Sequence, residues 1–208
     1  PAWQVTNAEV RDNYSPSSWY SLVDKEGSLL LQVMDDAAKP LNYSGYQHPT
    51  LLRTLPAVAD WAIQTDLALD ARQTGVYFTG IYFETVESGV TNRYAFGLRN
   101  GASIEVKRSA GGAFVTIGAD ISIGGSAVLR VRRLGNQLLF QRRTDGVWET
   151  IHTQNTPAGT TGGKGGLFLS TDLAQSVRVA FDYLMISDPG HDSSALNSLI
   201  WFMSFSSS

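Results

Sequence analysis

From Ser28 to Ile186 the apolar residues of this chain recur with a period of two, and short segments bearing Gly or Asn break the pattern at close intervals. No window keeps apolar residues at the three-and-four spacing of an amphipathic helix with caps at its ends. Successive side chains of an extended strand point to opposite faces, so alternation marks strands with one face in a core and one in water. In Trp61-Ala62-Ile63-Gln64-Thr65-Asp66-Leu67-Ala68-Leu69, the residues Trp61, Ile63, Leu67 and Leu69 share one face, which is expected to be core. In Leu129-Arg130-Val131-Arg132 the arginines stand opposite the apolar residues. Arg99-Asn100-Gly101-Ala102, Leu134-Gly135-Asn136-Gln137 and Thr144-Asp145-Gly146-Val147 each supply residues that accept the positive φ of a tight hairpin.

The strands read in this way are Ser28–Met34, Leu51–Leu55, Trp61–Leu69, Val76–Glu84, Arg93–Arg99, Ser103–Arg108, Ala113–Ile117, Ala127–Arg133, Gln137–Thr144, Val147–His152, Gly166–Thr171 and Val177–Ile186. Short links between many of them imply antiparallel meanders, and the class predicted is all-β, a two-sheet antiparallel β-sandwich. A chain of 208 residues suits one such domain, placed at 1–189, with 190–208 as a C-terminal tail. The tail's Leu199-Ile200-Trp201-Phe202-Met203-Ser204-Phe205 is too apolar to leave in water, so it is expected to dock on the sandwich or on a protein partner. Asp35 to Pro49 forms a long polar and aromatic loop, a kind of segment that often carries function.

Composition removes several functions. There is no cysteine, which excludes disulfides, thiolate metal sites and a cysteine nucleophile. A formal net charge of −3 supplies no global attraction to polyanions, no nucleic-acid motif is present, and no apolar run approaches the length of a helical membrane span. The glycine-rich, cysteine-free chain begins Pro1-Ala2-Trp3 without a basic, apolar leader, and the expectation is a mature secreted or cell-surface protein, bacterial in style.

Five patterns together resemble the concanavalin A-like lectin/glucanase superfamily, and in particular the jelly-roll modules at the C-termini of β-xylosidases. They are Trp19 followed by Gly27-Ser28-Leu29-Leu30-Leu31; His48-Pro49-Thr50-Leu51-Leu52-Arg53 leading into Asp60-Trp61-Ala62-Ile63-Gln64-Thr65; Gln73-Thr74-Gly75-Val76-Tyr77-Phe78; Asp145-Gly146-Val147-Trp148; and Gly165-Gly166-Leu167-Phe168 with Phe181-Asp182-Tyr183. The resemblance implies a concave and a convex sheet, with sugar bound on the concave face or at the loop rim. It also implies a structural calcium, with Asp182 at a ligand position. Asp24 and Asp12, near the N-terminal edge, would complete the oxygen set that Ca²⁺ requires.

Catalytic constellations are weak. Glucanases on this fold carry paired carboxylates on one strand, and a retaining pair needs its carboxyls ~5 Å apart. Here the nearest match is Glu84 and Glu87, read as solvated carboxylates at a Ser-Gly turn. A lyase would need Arg, Tyr, His and Gln to converge, for which Tyr94, Arg99, Gln141 and His152 are the candidates, with cross-strand packing as the plainer reading. No Gly-x-Ser-x-Gly is present, and Gly162-Gly163-Lys164-Gly165-Gly166 lacks the ending of a phosphate loop and reads as a flexible entry to a strand.

Sugar sites combine aromatic rings with planar polar groups. The loop residues Tyr43, Tyr46 and His48 and the N-terminal Trp19 supply the rings, and alternation assigns Arg99, Arg130, Arg132, Gln141 and Arg143 to the concave face. Arginines in such numbers favour uronic, sulfated or sialylated sugars, unless Glu105, Asp66 and Glu149 pair with them as a surface ladder. The function expected is non-catalytic, lectin-like binding of a polysaccharide or glycan. The alternatives are an adhesion or assembly domain contacting protein through the tail, and a glycan hydrolase or lyase.

Overall fold

A computed structural model describes residues 4–6, 9–10, 18–21, 25, 27–34, 38, 40, 48–56, 60–72, 77–120, 124–187 and 201–204. The smaller sheet has seven strands in the order β1 (Gln4–Thr6), β5 (Thr50–Thr54), β14 (Thr161–Thr171), β7 (Tyr77–Glu87), β8 (Val90–Arg99), β9 (Ser103–Ser109) and β10 (Val115–Asp120). The larger sheet, of nine, runs β13 (Val147–Asn155), β12 (Gln137–Thr144), β11 (Ser126–Leu134), β6 (Trp61–Arg72), β15 (Val177–Ser187), β4 (Leu29–Val33), β3 (Ser18–Ser21) and β2 (Glu9–Val10). Its ninth strand, β16 (Trp201–Ser204), lies along Tyr183–Ile186 of β15, beyond the Val177–Phe181 stretch that pairs with β4. Among the described residues there is no helix, and every pairing is antiparallel except the short β2–β3 pair.

The hairpins close as the turn residues require. Asn100 and Gly101 adopt φ of 56° and 64° between β8 and β9, and Asp145 and Gly146 adopt 50° and 84° between β12 and β13. Two-residue turns with positive φ carry the twist that matches the flanking strands.

The two sheets meet through the inward residues of each strand. Trp61 and Ile63 of β6, Phe140 of β12 and Phe181 of β15 are fully buried against Phe83, Tyr94 and Phe96 of β7 and β8. Trp61 meets Phe83 edge-on at 5.4 Å, Phe83 stacks on Tyr94 at 4.8 Å, and Phe140 contacts Phe96 at 5.5 Å. Such pairs add roughly 0.5–1.5 kcal/mol each beyond the area they bury.

The smaller sheet departs from the expectation of one wet face. Leu52, Phe78, Tyr82, Ala95 and Phe168 form a second buried cluster on its outward side. Both faces of β7 are therefore covered, and almost all of the strand is buried. At the centre of this region Gly80 and Gly97 stand directly opposite one another. A Cβ at Gly97 would collide with the Thr79 carbonyl, so only glycine allows this approach of the two backbones. Gly162 to Gly166 is likewise no flexible entry. It lies within β14, where Gly162 pairs with Thr85 and Gly165 with Phe83, and a Cβ at Gly165 would meet Ile63 and Leu55. The glycines make room for close packing between the sheets.

Two outcomes follow. Replacing Trp61 with Ala removes the largest inward side chain of β6 and is expected to cost about 3–5 kcal/mol in chemical denaturation, since the cavity cannot refill from rigid strands. Burial also lowers the His48 pKa to about 4, the hydrogen bond that the ring donates to the Pro40 carbonyl opposing this only partly. The unfolded chain thus takes up a proton near pH 6.5 that the folded chain refuses until about pH 4. Stability present at pH 7 should fall by roughly 3 kcal/mol across that window. His152, also lowered by burial, acts in the same direction. Denaturation midpoints at pH 7 and 4.5 check this, and His48→Gln should flatten the dependence.

Candidate functional site

The outward face of the larger sheet carries polar and aromatic side chains in register. One row crosses the strands as Thr150 on β13, Gln141 on β12, Arg130 on β11, Gln64 on β6 and Met185 on β15. A second row includes Trp148 opposite Arg143, and Asp66 opposite Tyr183. Along β11, Arg132 is the next outward position after Arg130, and it pairs with Ala62 and Leu139.

The side chains of the first row are linked. The Arg130 Nε donates to Gln141 Oε1 at 3.0 Å, and Gln141 Nε2 donates to Thr150 Oγ1 at 3.0 Å. The Arg130 guanidinium lies over the Trp148 ring, 3.9 Å from its centre, a cation–π contact that fixes the indole plane. On the other side, Gln64 Nε2 donates to the Tyr183 hydroxyl at 2.6 Å. Burial holds the Tyr183 phenol above its ordinary pKa, with the Asp66 and Asp182 charges adding to the rise, so the ring stays neutral and keeps its proton. Asp66 is also raised, first by burial and then by the Asp182 charge. Asp182 is the extra residue of a β-bulge, for the register passes from Phe181–Leu67 to Tyr183–Asp66.

The sequence-predicted residues divide sharply. Arg130, Arg132, Gln141 and Arg143 come together on this face. Arg99 does not: it ends β8 in the smaller sheet and pairs with Asp172 at 2.7 Å. Alternation assigns a residue inward or outward, never to a particular sheet. His48 is corrected as well, since it is 0% exposed and packs 6.0 Å from Tyr82 and 5.9 Å from Phe168, on the covered side of the smaller sheet. Tyr43 and Tyr46 lie outside the described residues, as does the side chain of Trp19, whose backbone in β3 pairs with Gln32.

Asp12 and Asp24 also fall outside the described residues. Among those described, no three acidic or histidine side chains come together, and the Asp182 and Asp66 carboxylates lie near each other.

Nor do the catalytic candidates converge. Glu84 and Glu87 are buried, not solvated, and they occupy opposite faces of β7. Glu84 faces outward to the Tyr82 hydroxyl at 3.4 Å and Arg93 at 3.6 Å. Glu87 faces inward, accepting from Thr85 at 2.9 Å, Tyr94 at 3.1 Å and Arg108 at 3.1 Å. Two carboxyls on either side of a sheet cannot flank one glycosidic bond. Tyr94 and His152 point into the sandwich, where His152 lies 5.8 Å from Phe140, while Gln141 lies on the outward face of the larger sheet.

Sequence reasoning passed over Trp148, Gln64, Thr150 and Tyr183 as site residues. The available signal was Val147-Trp148 straight after the Asp145-Gly146 turn: two large apolar residues in a row at a strand start put one of them outward.

No known family matches the sequence, and no curated protein does. Solved structures do match. The GH43 BlXynB protein from Bacillus licheniformis superposes with a TM-score of 0.62 at 14% identity, over 80% of this chain and 34% of that one. A xylan β-1,4-xylosidase from Bacillus halodurans gives 0.60 at 14% identity, over 88% of this chain and 38% of that one. The fold shared with these chains is a two-sheet antiparallel β-sandwich of jelly-roll type. An alginate lyase from Klebsiella pneumoniae shares this jelly roll along most of its own length, with a TM-score of 0.57 at 11% identity over 84% of this chain and 86% of that one. The chain spans 34% and 38% of the lengths of the two Bacillus proteins. Likeness at this level establishes the jelly roll and leaves the chemistry to the side chains.

Proposed function

We propose that the chain is a non-catalytic, lectin-like module that holds a glycan against the outward face of the larger sheet. The observation that carries this reading is the Trp148 ring, clamped by Arg130 beside the hydrogen-bonded pair Gln141 and Thr150. A pyranose presents C–H bonds on its faces and hydroxyls around its edge, so it needs a ring to lie on and planar polar groups at the side. Holding those groups in place beforehand lowers the ordering cost of binding. Tyr183, with its amide partner Gln64, repeats the aromatic and polar pairing farther along the same face. The carbohydrate-active enzymes that share the fold support the same ligand class by analogy. The reading carries with it an extracellular setting, where polysaccharide is met.

Titration calorimetry against plant, algal and host glycans tests the proposal. At least one should bind, and Trp148→Ala should weaken it about ten-fold, or ~1.4 kcal/mol, with the melting temperature nearly unchanged. The glycan should be recovered at its original length. Shortened or unsaturated products would replace the binding reading with an enzymatic one, and silence across the whole panel would remove it.

A further inference from the structure

Charge on this face is unevenly spread. Arg130 and Arg132 occupy alternate outward positions of β11, and Arg143 stands on the neighbouring β12. Of the carboxylates expected to neutralise them, Glu149 and Glu105 are engaged elsewhere. Glu149 follows Trp148 directly but takes the opposite side of β13, where Arg142 Nε donates to it at 3.0 Å and Thr144 Oγ1 at 3.1 Å. Glu105 pairs with Lys107 at 3.4 Å on the smaller sheet. Asp66 shares the face but lies across β11, on β6, and its burial together with the Asp182 charge disfavours its ionised form. Among the described residues, Arg132 and Arg143 consequently form no ion pair, and Arg143 spends its Nε on the Gly146 carbonyl at 3.2 Å.

Resting on the glycan-binding reading of this face, we infer that the β11–β12 arginine strip selects anionic glycans, those bearing uronic carboxylates or sulfate esters. A guanidinium group presents parallel N–H donors that match two oxygens of a carboxylate or sulfate, and charge-assisted bonds of this kind are about twice as strong as neutral ones. A neutral sugar offers only hydroxyls and leaves the positive charges of Arg132 and Arg143 uncompensated. Trp148 and Gln141 then hold the ring while the strip reads its charge.

Calorimetry on the full chain with three probes of equal length decides the matter: an oligogalacturonate, a sulfated carrageenan oligosaccharide and a neutral xylo-oligosaccharide. At about 0.02 M salt an anionic probe should bind at least about ten-fold more tightly than the neutral one. The advantage should shrink at about 0.2 M salt, as charges near a surface are screened. R132A/R143A should bring the affinity ratio close to one, whereas R132K/R143K, which keeps the charge but loses the paired donors, should retain part of it. Preference for galacturonate alone assigns the carboxylate, preference for carrageenan alone assigns the sulfate, and either supports the inference. A neutral probe that binds as tightly as both anionic ones overturns it and leaves carbohydrate binding standing. Failure of all three probes overturns it, and silence of the wider glycan panel as well would take the binding reading with it.

Discussion

The structure depends on a knot of aromatic rings that joins the two sheets. Trp61 and Phe140 come from the larger sheet, Phe83, Tyr94 and Phe96 from the smaller, and their ring centres lie 4.8–6.1 Å apart. Each ring is fully buried. Because the rings interlock across the interface, the sheets cannot slide without unpacking the centre of the core, and interiors packed to crystal density resist such displacement. The orientation of every outward side chain follows from this restraint.

The two outward faces then take different roles. On the smaller sheet, Phe78, Tyr82 and Phe168 extend the apolar interior to a second layer around His48. Lys107 completes this surface from the side, with its ammonium 5.4 Å from the Phe78 ring centre. On the larger sheet the corresponding positions hold Arg130, Gln141, Gln64 and Tyr183, joined by hydrogen bonds in pairs. Arg130 and Gln141 are themselves largely covered by their neighbours, and the face presents its hydrogen-bonding groups in an order set by strand register. The rigidity of the core is thereby passed on to a surface suited to recognition.

Polar groups within the sandwich serve the fold. Glu87 accepts three hydrogen bonds at the end of β7, and Arg108, one of its donors, also donates to Asn92 Oδ1 at 2.8 Å. A buried carboxylate needs such compensation, for without it the desolvation cost would be several kcal/mol. Tyr94 holds its proton far above the usual phenol range, chiefly through burial and then through the Glu87 charge, and so acts as a fixed donor. The network closes one end of the core near the Ser88-Gly89 turn, where Ser88 and Gly89 both take positive φ.

Although it misreads the glycines of β14 and the inward Glu87, alternation of apolar residues made most strands from Leu29 to Ser187 legible from sequence, together with their hairpin turns and the inward side of residues such as Trp61 and Ile63. These are local properties: period two follows from strand geometry and positive φ from the turn residues. Which sheet a strand joins is decided by pairing with partners distant in sequence. Arg99 and Arg130, both outward, therefore ended on different sheets. Whether an outward face stays wet depends on what folds over it, and so His48 became core while Trp148 became surface. Strand register alone set the Asp182 bulge and drew Trp148, Arg130 and Tyr183 onto one face. The sequence by itself determined a sandwich and its hidden side. Long-range packing decided which of the remaining sides could meet a ligand.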